Sequence, residues 1–144
     1  SPRTWRWWIR LRHNMGAGVA DPAGRLRDTG HPGVNIDDAT RLPLYALMRA
    51  ADLHVTGFST CALEALAFGL PTVLLHPSGE VAFAPYVEKG LMQHVASPAA
   101  FQETAARLDR LESAPLIEAG ERVFAPLGSA GAALGRLLEQ RLQS

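Results

Sequence analysis

The sequence predicts an α/β fold in which a parallel sheet is covered by helices on both faces. Short apolar segments alternate with segments of helical periodicity along the 144 residues, a pattern typical of β-α-β units. Thr72–Leu75 is continuously apolar, as expected for a strand of a parallel sheet that is buried on both sides. The chain length and a hydrophobic content of 47% favour a single domain over residues 1–144.

The predicted elements follow from local composition. Aromatic and β-branched residues predict a buried strand over Trp5–Leu11, and turn signals rich in Gly and Pro follow it up to Gly33. Gly69 and Gly90 are expected to end helical segments. The remaining predicted strands are 34–36, 53–56, 72–75 and 92–95, and the predicted helical segments are 22–28, 42–51, 60–68, 84–89, 98–111, 116–124 and 130–142.

Composition excludes several classes of protein. Fourteen basic residues balance fourteen acidic ones, so the chain carries no charge signature of nucleic-acid binding. The lone Cys61 rules out an internal disulfide and favours the cytoplasm. No segment is as long and apolar as a membrane-spanning helix, and the N-terminus lacks a signal-peptide pattern. No zinc motif, dinucleotide fingerprint or Walker loop is present, so we predict neither a metal nor a cofactor.

The strongest candidate site is the segment in which the predicted strand 53–56 leads into the helix 60–68. Gly57 permits a tight turn, and Ser59 and Thr60 stand where the first amides of the helix lack backbone partners. Ligands of parallel sheets bind at such carboxyl ends, and an anion such as a phosphate would suit this position. The alternative is that the two hydroxyl residues only cap the helix.

Glu64 is the second feature of this segment. It follows Thr60 by one helical turn and is surrounded in sequence by Ala and Leu. A carboxylate in such a helix must be solvated, paired or used, and it could accept hydrogen bonds from two sugar hydroxyls. The alternatives are a solvent-exposed glutamate or an ion pair with Arg49 or Arg41.

These segments resemble the C-terminal domain of GT-B glycosyltransferases. The resemblance spans residues 42–95 and is carried by ADLHVTGFST at 51–60, ALEA at 62–65 and GLPTV at 69–73. It is closest in style to bacterial capsule, teichoic-acid and lipopolysaccharide enzymes, which are related in fold to UDP-N-acetylglucosamine 2-epimerases. The resemblance implies a Rossmann-like domain that binds a nucleotide-sugar or nucleotide-polyol donor. It further implies that Ser59 and Thr60 meet the phosphates and that Glu64 holds the ribose hydroxyls, and Gly57 in the same turn is also predicted to bind the donor.

The same resemblance implies that two histidines bind the donor. Many relatives have a strand that ends in Arg-Leu-His-Pro with its histidine near the donor phosphates, and this chain has Arg-Leu-Arg-His-Asn at 10–14. The resemblance therefore implies that His13 contacts the donor, although an additional arginine and a missing proline depart from the pattern. His76 begins a predicted loop after the strand 72–75, and relatives use this loop near the donor sugar or base.

The resemblance also implies partners. We expect residues 1–144 to be the donor-binding half of a longer two-domain enzyme, which binds a nucleotide-sugar without turnover because an N-terminal acceptor domain supplies catalysis. The catalytic residues are thus not identified. A sugar-nucleotide epimerase domain and a non-catalytic α/β interaction module are the alternatives. Homodimerisation through Trp5, Trp7 and Trp8 and peripheral membrane association of the parent enzyme are additional hypotheses.

Overall fold

Parallel strands and helices alternate through the computed structural model, which describes residues 5–11, 22–28, 30–124 and 130–142. The α/β class is confirmed, since all strand pairs in the described residues are parallel. Backbone contacts divide the chain into two compact units, Ser1–Ala50 and Ala51–Ser144. That residues 1–144 act as one domain stays a prediction.

The first unit contains a two-stranded sheet in which Trp7 pairs with Val34. The predicted strand 5–11 is shorter than expected, and it is not buried: half-buried and exposed residues alternate along it, and Trp8 is 50% exposed. The predicted helix 22–28 is confirmed. The elements of this unit are β1 (Trp7–Trp8), α1 (Pro22–Asp28), β2 (Val34–Asn35), α2 (Asp37–Arg41) and α3 (Leu44–Ala50).

Helix α2 was not predicted, and side chains explain how so short a segment holds its conformation. The Asn35 Oδ1 atom accepts a hydrogen bond from the Asp38 amide at 3.1 Å, which satisfies an amide that the helix leaves unpaired. At the other end, the Arg10 guanidinium donates to the Ala39 carbonyl oxygen at 3.1 Å. Asn35 and Arg10 therefore stabilise both ends of α2.

The second unit carries the larger sheet and most of the helices. Its predicted elements are present with ends that shift by at most three residues, and one helix, α5, was not predicted. Within the described residues no helix combines the length and the apolar character needed to cross a bilayer. The elements are β3 (His54–Thr56), α4 (Cys61–Ala67), β4 (Thr72–Leu74), α5 (Pro77–Ala82), α6 (Ala84–Val87), β5 (Met92–His94), α7 (Pro98–Leu108), α8 (Ser113–Val123) and α9 (Ala130–Leu142).

Helices cover both faces of this sheet, whose strand order is β3-β4-β5. Successive side chains of a strand point to opposite faces. Leu74 packs in a core cluster with Leu66 of α4 and Leu116 of α8, whereas Val73 packs with Leu108 of α7 in another cluster. All five side chains are at most 2% exposed. The central strand is thus buried on both sides, as its apolar sequence predicted, in a Rossmann-like arrangement.

The end of α4 sets the path into β4. Gly69 has a φ of 70°, a conformation that favours glycine. The amide of Leu70 donates to the Ala65 carbonyl at 2.9 Å and that of Gly69 donates to the Leu66 carbonyl at 2.9 Å. This pair of bonds is the Schellman motif, and it confirms the predicted helix end at Gly69.

Candidate functional site

The loop between β3 and α4 contains three of the residues predicted to bind a donor. Ser59 is half-buried, and its Oγ atom accepts a hydrogen bond from the Cys61 amide at 3.3 Å. Thr60 is exposed and makes no capping bond through its side chain. The structure thereby separates two hydroxyls that the sequence left equivalent: Ser59 caps α4, and Thr60 faces solvent. The Ser59 hydroxyl keeps its own proton to donate.

A close backbone approach joins this loop to the start of α5. A Cβ atom added to Gly79 would lie 2.8 Å from the Gly57 carbonyl oxygen, and one added to Gly57 would lie 3.8 Å from the Cβ atom of His76. The strand ladder continues up to this point, because the Leu75 amide donates to the Thr56 carbonyl at 2.8 Å. The carboxyl ends of β3 and β4 thus bring Gly57 and His76 together.

His76 caps the helix that follows β4. Its backbone is extended, and its Nδ1 atom accepts a hydrogen bond from the Ser78 amide at 3.2 Å. The prediction that residues 77–79 form a loop is wrong, because they are the first turn of α5. Pro77 suits that position since it has no amide hydrogen to leave unpaired. Both His76 and Ser78 are exposed.

Glu64 lies on α4, one turn after Thr60. Its side chain is half-buried, while Ala65 and Leu66 beside it are fully buried. Glu64 forms no hydrogen bond or ion pair in the part of the chain that the structure describes. Of its two suggested ion-pair partners, Arg41 is bonded to Asp38 instead. Glu64 therefore retains both carboxylate oxygens as acceptors.

A pair that sequence analysis missed lies at the carboxyl end of β5. The Nδ1 atom of His94 is 3.1 Å from the Oε2 atom of Glu80 on α5, and the side chains are 15% and 52% exposed. The two residues are far apart in sequence and belong to no known motif spacing, so no local signal marks them. Their meeting depends on the packing of α5 against β5.

The electrostatic character of this edge comes from polar neutral and acidic groups. The segments 57–60 and 75–79 contain no Lys or Arg, so an anion there would rely on backbone amides, hydroxyls and imidazoles. Within the described residues no group of three or more His, Cys, Asp or Glu side chains could hold a metal ion. The arrangement suits hydrogen bonding to a polyhydroxylated ligand better than it suits strong charge pairing.

The remaining predicted residue, His13, lies outside the described residues. Two surface cavities of about 350 and 720 Å³ are lined by residues of the first unit, none of which is a predicted donor-binding residue. Comparison of the chain with protein-family models, curated proteins and solved structures found no match.

Proposed function

We propose that the chain is the donor-binding domain of a bacterial glycosyltransferase that acts in cell-surface polysaccharide biosynthesis in the cytoplasm. The ligand would be a nucleotide-activated sugar or polyol, bound at the carboxyl edge of the sheet β3-β4-β5. In this proposal the domain binds its ligand without turnover, and an acceptor domain completes catalysis.

The observation that carries the proposal is the contact between the β3–α4 loop and the start of α5 at this edge. The 2.8 Å approach between the Gly79 position and the Gly57 carbonyl leaves no room for a side chain there. As a result, the segments that contain Thr60 and His76 are in contact, at the edge where open parallel sheets bind ligands. Neither residue is needed for the core, since both are exposed.

Each residue has an expected role. The hydroxyls of Ser59 and Thr60 would donate to the phosphates, and the Nε2 atom of His76 would remain for the ligand because Nδ1 is bonded to Ser78. The unpaired carboxylate of Glu64 would accept from the two ribose hydroxyls. Because the segments 57–60 and 75–79 contain no Lys or Arg, we expect moderate affinity for the nucleotide.

One observation favours a different function. Ser59 bonds the Cys61 amide, as a residue that only caps a helix would, and this fits a non-catalytic interaction module. The half-buried position of Glu64 argues against that alternative, for which a fully solvated glutamate would be expected.

Titration of the protein with UDP, CDP, CMP and GDP, followed by NMR, tests the proposal. We expect one nucleotide to bind and to shift the amide resonances of residues 57–64. Glu64→Ala should weaken that binding about tenfold, since a hydrogen bond to a charged group contributes about 1.5 kcal/mol or more. Glu88→Ala, which removes an exposed glutamate on another helix end, should leave the affinity unchanged.

Two results would contradict the proposal. One is the absence of binding by all four nucleotides at concentrations on the order of millimolar, where even weak specific sites fill. The other is binding that Glu64→Ala leaves unchanged, because the nucleotide would then lie elsewhere.

A further inference from the structure

The Glu80–His94 pair belongs to the same sheet edge but has no role in the site described so far. His94 is the last residue of β5, in register with Leu74 of β4. The Val95 amide donates to the Leu74 carbonyl at 3.0 Å, so the ladder is intact up to the end of the strand. The imidazole therefore projects from a rigid position, and Glu80 on α5 lies against it at 3.1 Å.

The contact with Glu80 bears on which ring nitrogen of His94 is available. Oε2 of Glu80 lies 3.1 Å from Nδ1, and because a carboxylate can only accept hydrogen bonds, it favours the neutral tautomer that has its proton on Nδ1 and leaves Nε2 as an acceptor. Among the described residues Nε2 of His94 has no protein partner, and the one buried side-chain polar atom that lacks a partner there is Thr40 Oγ1. Nε2 is therefore not buried, and it is open to solvent or to a ligand.

The distance across the sheet indicates which part of a ligand could reach His94. Neighbouring strands lie about 4.8 Å apart, so β5 is roughly 10 Å from the β3–α4 loop that would hold the phosphates. A nucleotide alone would end near β3 and β4. A sugar or polyol attached to the last phosphate would extend toward β5, where its hydroxyls are hydrogen-bond donors.

We propose that His94, held by Glu80, accepts a hydrogen bond through Nε2 from a hydroxyl of the transferred sugar or polyol. The inference rests on the proposed donor-binding function and assigns the recognition of the transferred group to β5. Glu80 acts as a positioning residue, because it selects the tautomer in which Nε2 is an acceptor.

Two substitutions separate this role from a structural one. In His94→Asn the side-chain amide can still donate to Glu80 from the place of Nδ1, but the Nε2 acceptor is lost. In Glu80→Gln the side-chain amide can either accept from Nδ1 or donate to it, so the ring is no longer held in one tautomer and Nε2 is an acceptor for only part of the time. The matched control is Glu88→Gln, an exposed glutamate on the neighbouring helix end.

The measurement is the affinity of each variant for the nucleoside diphosphate that binds and for its sugar or polyol conjugate: UDP and UDP-N-acetylglucosamine, GDP and GDP-mannose, CDP and CDP-glycerol. We expect His94→Asn and Glu80→Gln to weaken conjugate binding about three- to tenfold, the worth of one hydrogen bond, and to leave diphosphate binding unchanged. Nitrogen-detected NMR of wild-type His94 should show the proton on Nδ1, with Nε2 responding to the conjugate alone.

The possible results distinguish the role of His94 from the proposed donor-binding function. Equal affinities of the variants and the wild type for the conjugate would overturn the role of His94 while leaving nucleotide binding intact. Equal losses for the diphosphate and the conjugate would also overturn it, because they would indicate a general effect on the sheet edge. If none of the four nucleotides UDP, CDP, CMP and GDP binds, both proposals fail together.

Discussion

His54 and Thr72 are hydrogen-bonded to each other across two neighbouring strands, with 3.1 Å between Nδ1 of the imidazole and Oγ1 of the hydroxyl. The two residues are partners in the parallel register of β3 and β4. Thr72 is fully buried, and the bond satisfies its hydroxyl inside the sheet. Burial lowers the pKa of His54 from 6.5 to about 4.

The lowered pKa predicts that the protein loses stability in mild acid. The unfolded chain takes up the His54 proton near pH 6.5 and the folded protein only near pH 4, so the free energy of unfolding falls as the pH drops through this window. From this residue we expect the free energy of unfolding to fall by about 2 to 3 kcal/mol between pH 7 and pH 4.5. Each unit by which the folded pKa lies below the unfolded pKa contributes about 1.4 kcal/mol. Urea unfolding at several pH values measures it.

Carboxylates also titrate in acid, so a variant must isolate the histidine. His54→Gln should remove this part of the pH dependence, while His76→Gln, which changes an exposed imidazole, should keep it. If the pH profile of His54→Gln parallels that of the wild type, His54 is not responsible.

Gly120 allows α8 to lie directly on α4. A Cβ atom at this position would be 2.5 Å from the Ala67 amide nitrogen and 2.7 Å from its Cα atom. Because both contacts are with backbone, the helices would have to separate, and Gly120→Ala should destabilise the protein by about 1 to 3 kcal/mol. Thermal or urea unfolding monitored by circular dichroism gives the value.

A glycine in open space is the matched control. Gly131 lies in α9 with no atom within 4 Å of an added Cβ, so Gly131→Ala should stabilise the helix by up to about 1 kcal/mol. If Gly120→Ala and Gly131→Ala changed the free energy of unfolding in the same direction and by the same amount, α4 and α8 would not be packed as closely as described.

Gly79 offers a test of the loop junction that does not touch any proposed ligand contact. Gly79→Ala would push α5 away from the Gly57 carbonyl and from Leu74, to which the added Cβ would lie within 2.8 and 3.3 Å. We expect a loss of stability of about 1 to 3 kcal/mol together with weaker binding of the nucleotide. If Gly79→Ala folds and binds the nucleotide with unchanged affinity, α5 is not part of the binding site. Gly135→Ala, at a glycine with open space around it, is the control variant.

Much of the second unit could be predicted because its signals are local. The strands at 54–56, 72–74 and 92–94 and the helix end at Gly69 follow from short apolar runs and from the backbone conformation that a glycine permits. Helix α5 was missed because its start depends on a side-chain cap from His76, a residue type with no strong preference for that position.

The candidate site divides in the same way. Gly57, Ser59, Thr60 and Glu64 could be singled out because they lie within one strand-turn-helix segment. Only the structure distinguished the capping role of Ser59 from the exposed position of Thr60, since both hydroxyls have the same chemistry at the start of a helix.

By itself the sequence determined the α/β class and the order of the strands and helices along the chain, apart from the short helices α2 and α5. These properties depend on the periodicity and backbone preferences of neighbouring residues. The tertiary structure alone decided that His94 meets Glu80, that His54 meets Thr72 and that Gly57 meets Gly79. Such contacts depend on the order and register of the strands and on the placement of helices over them. These arrangements are stabilised by packing between segments that are distant in the sequence.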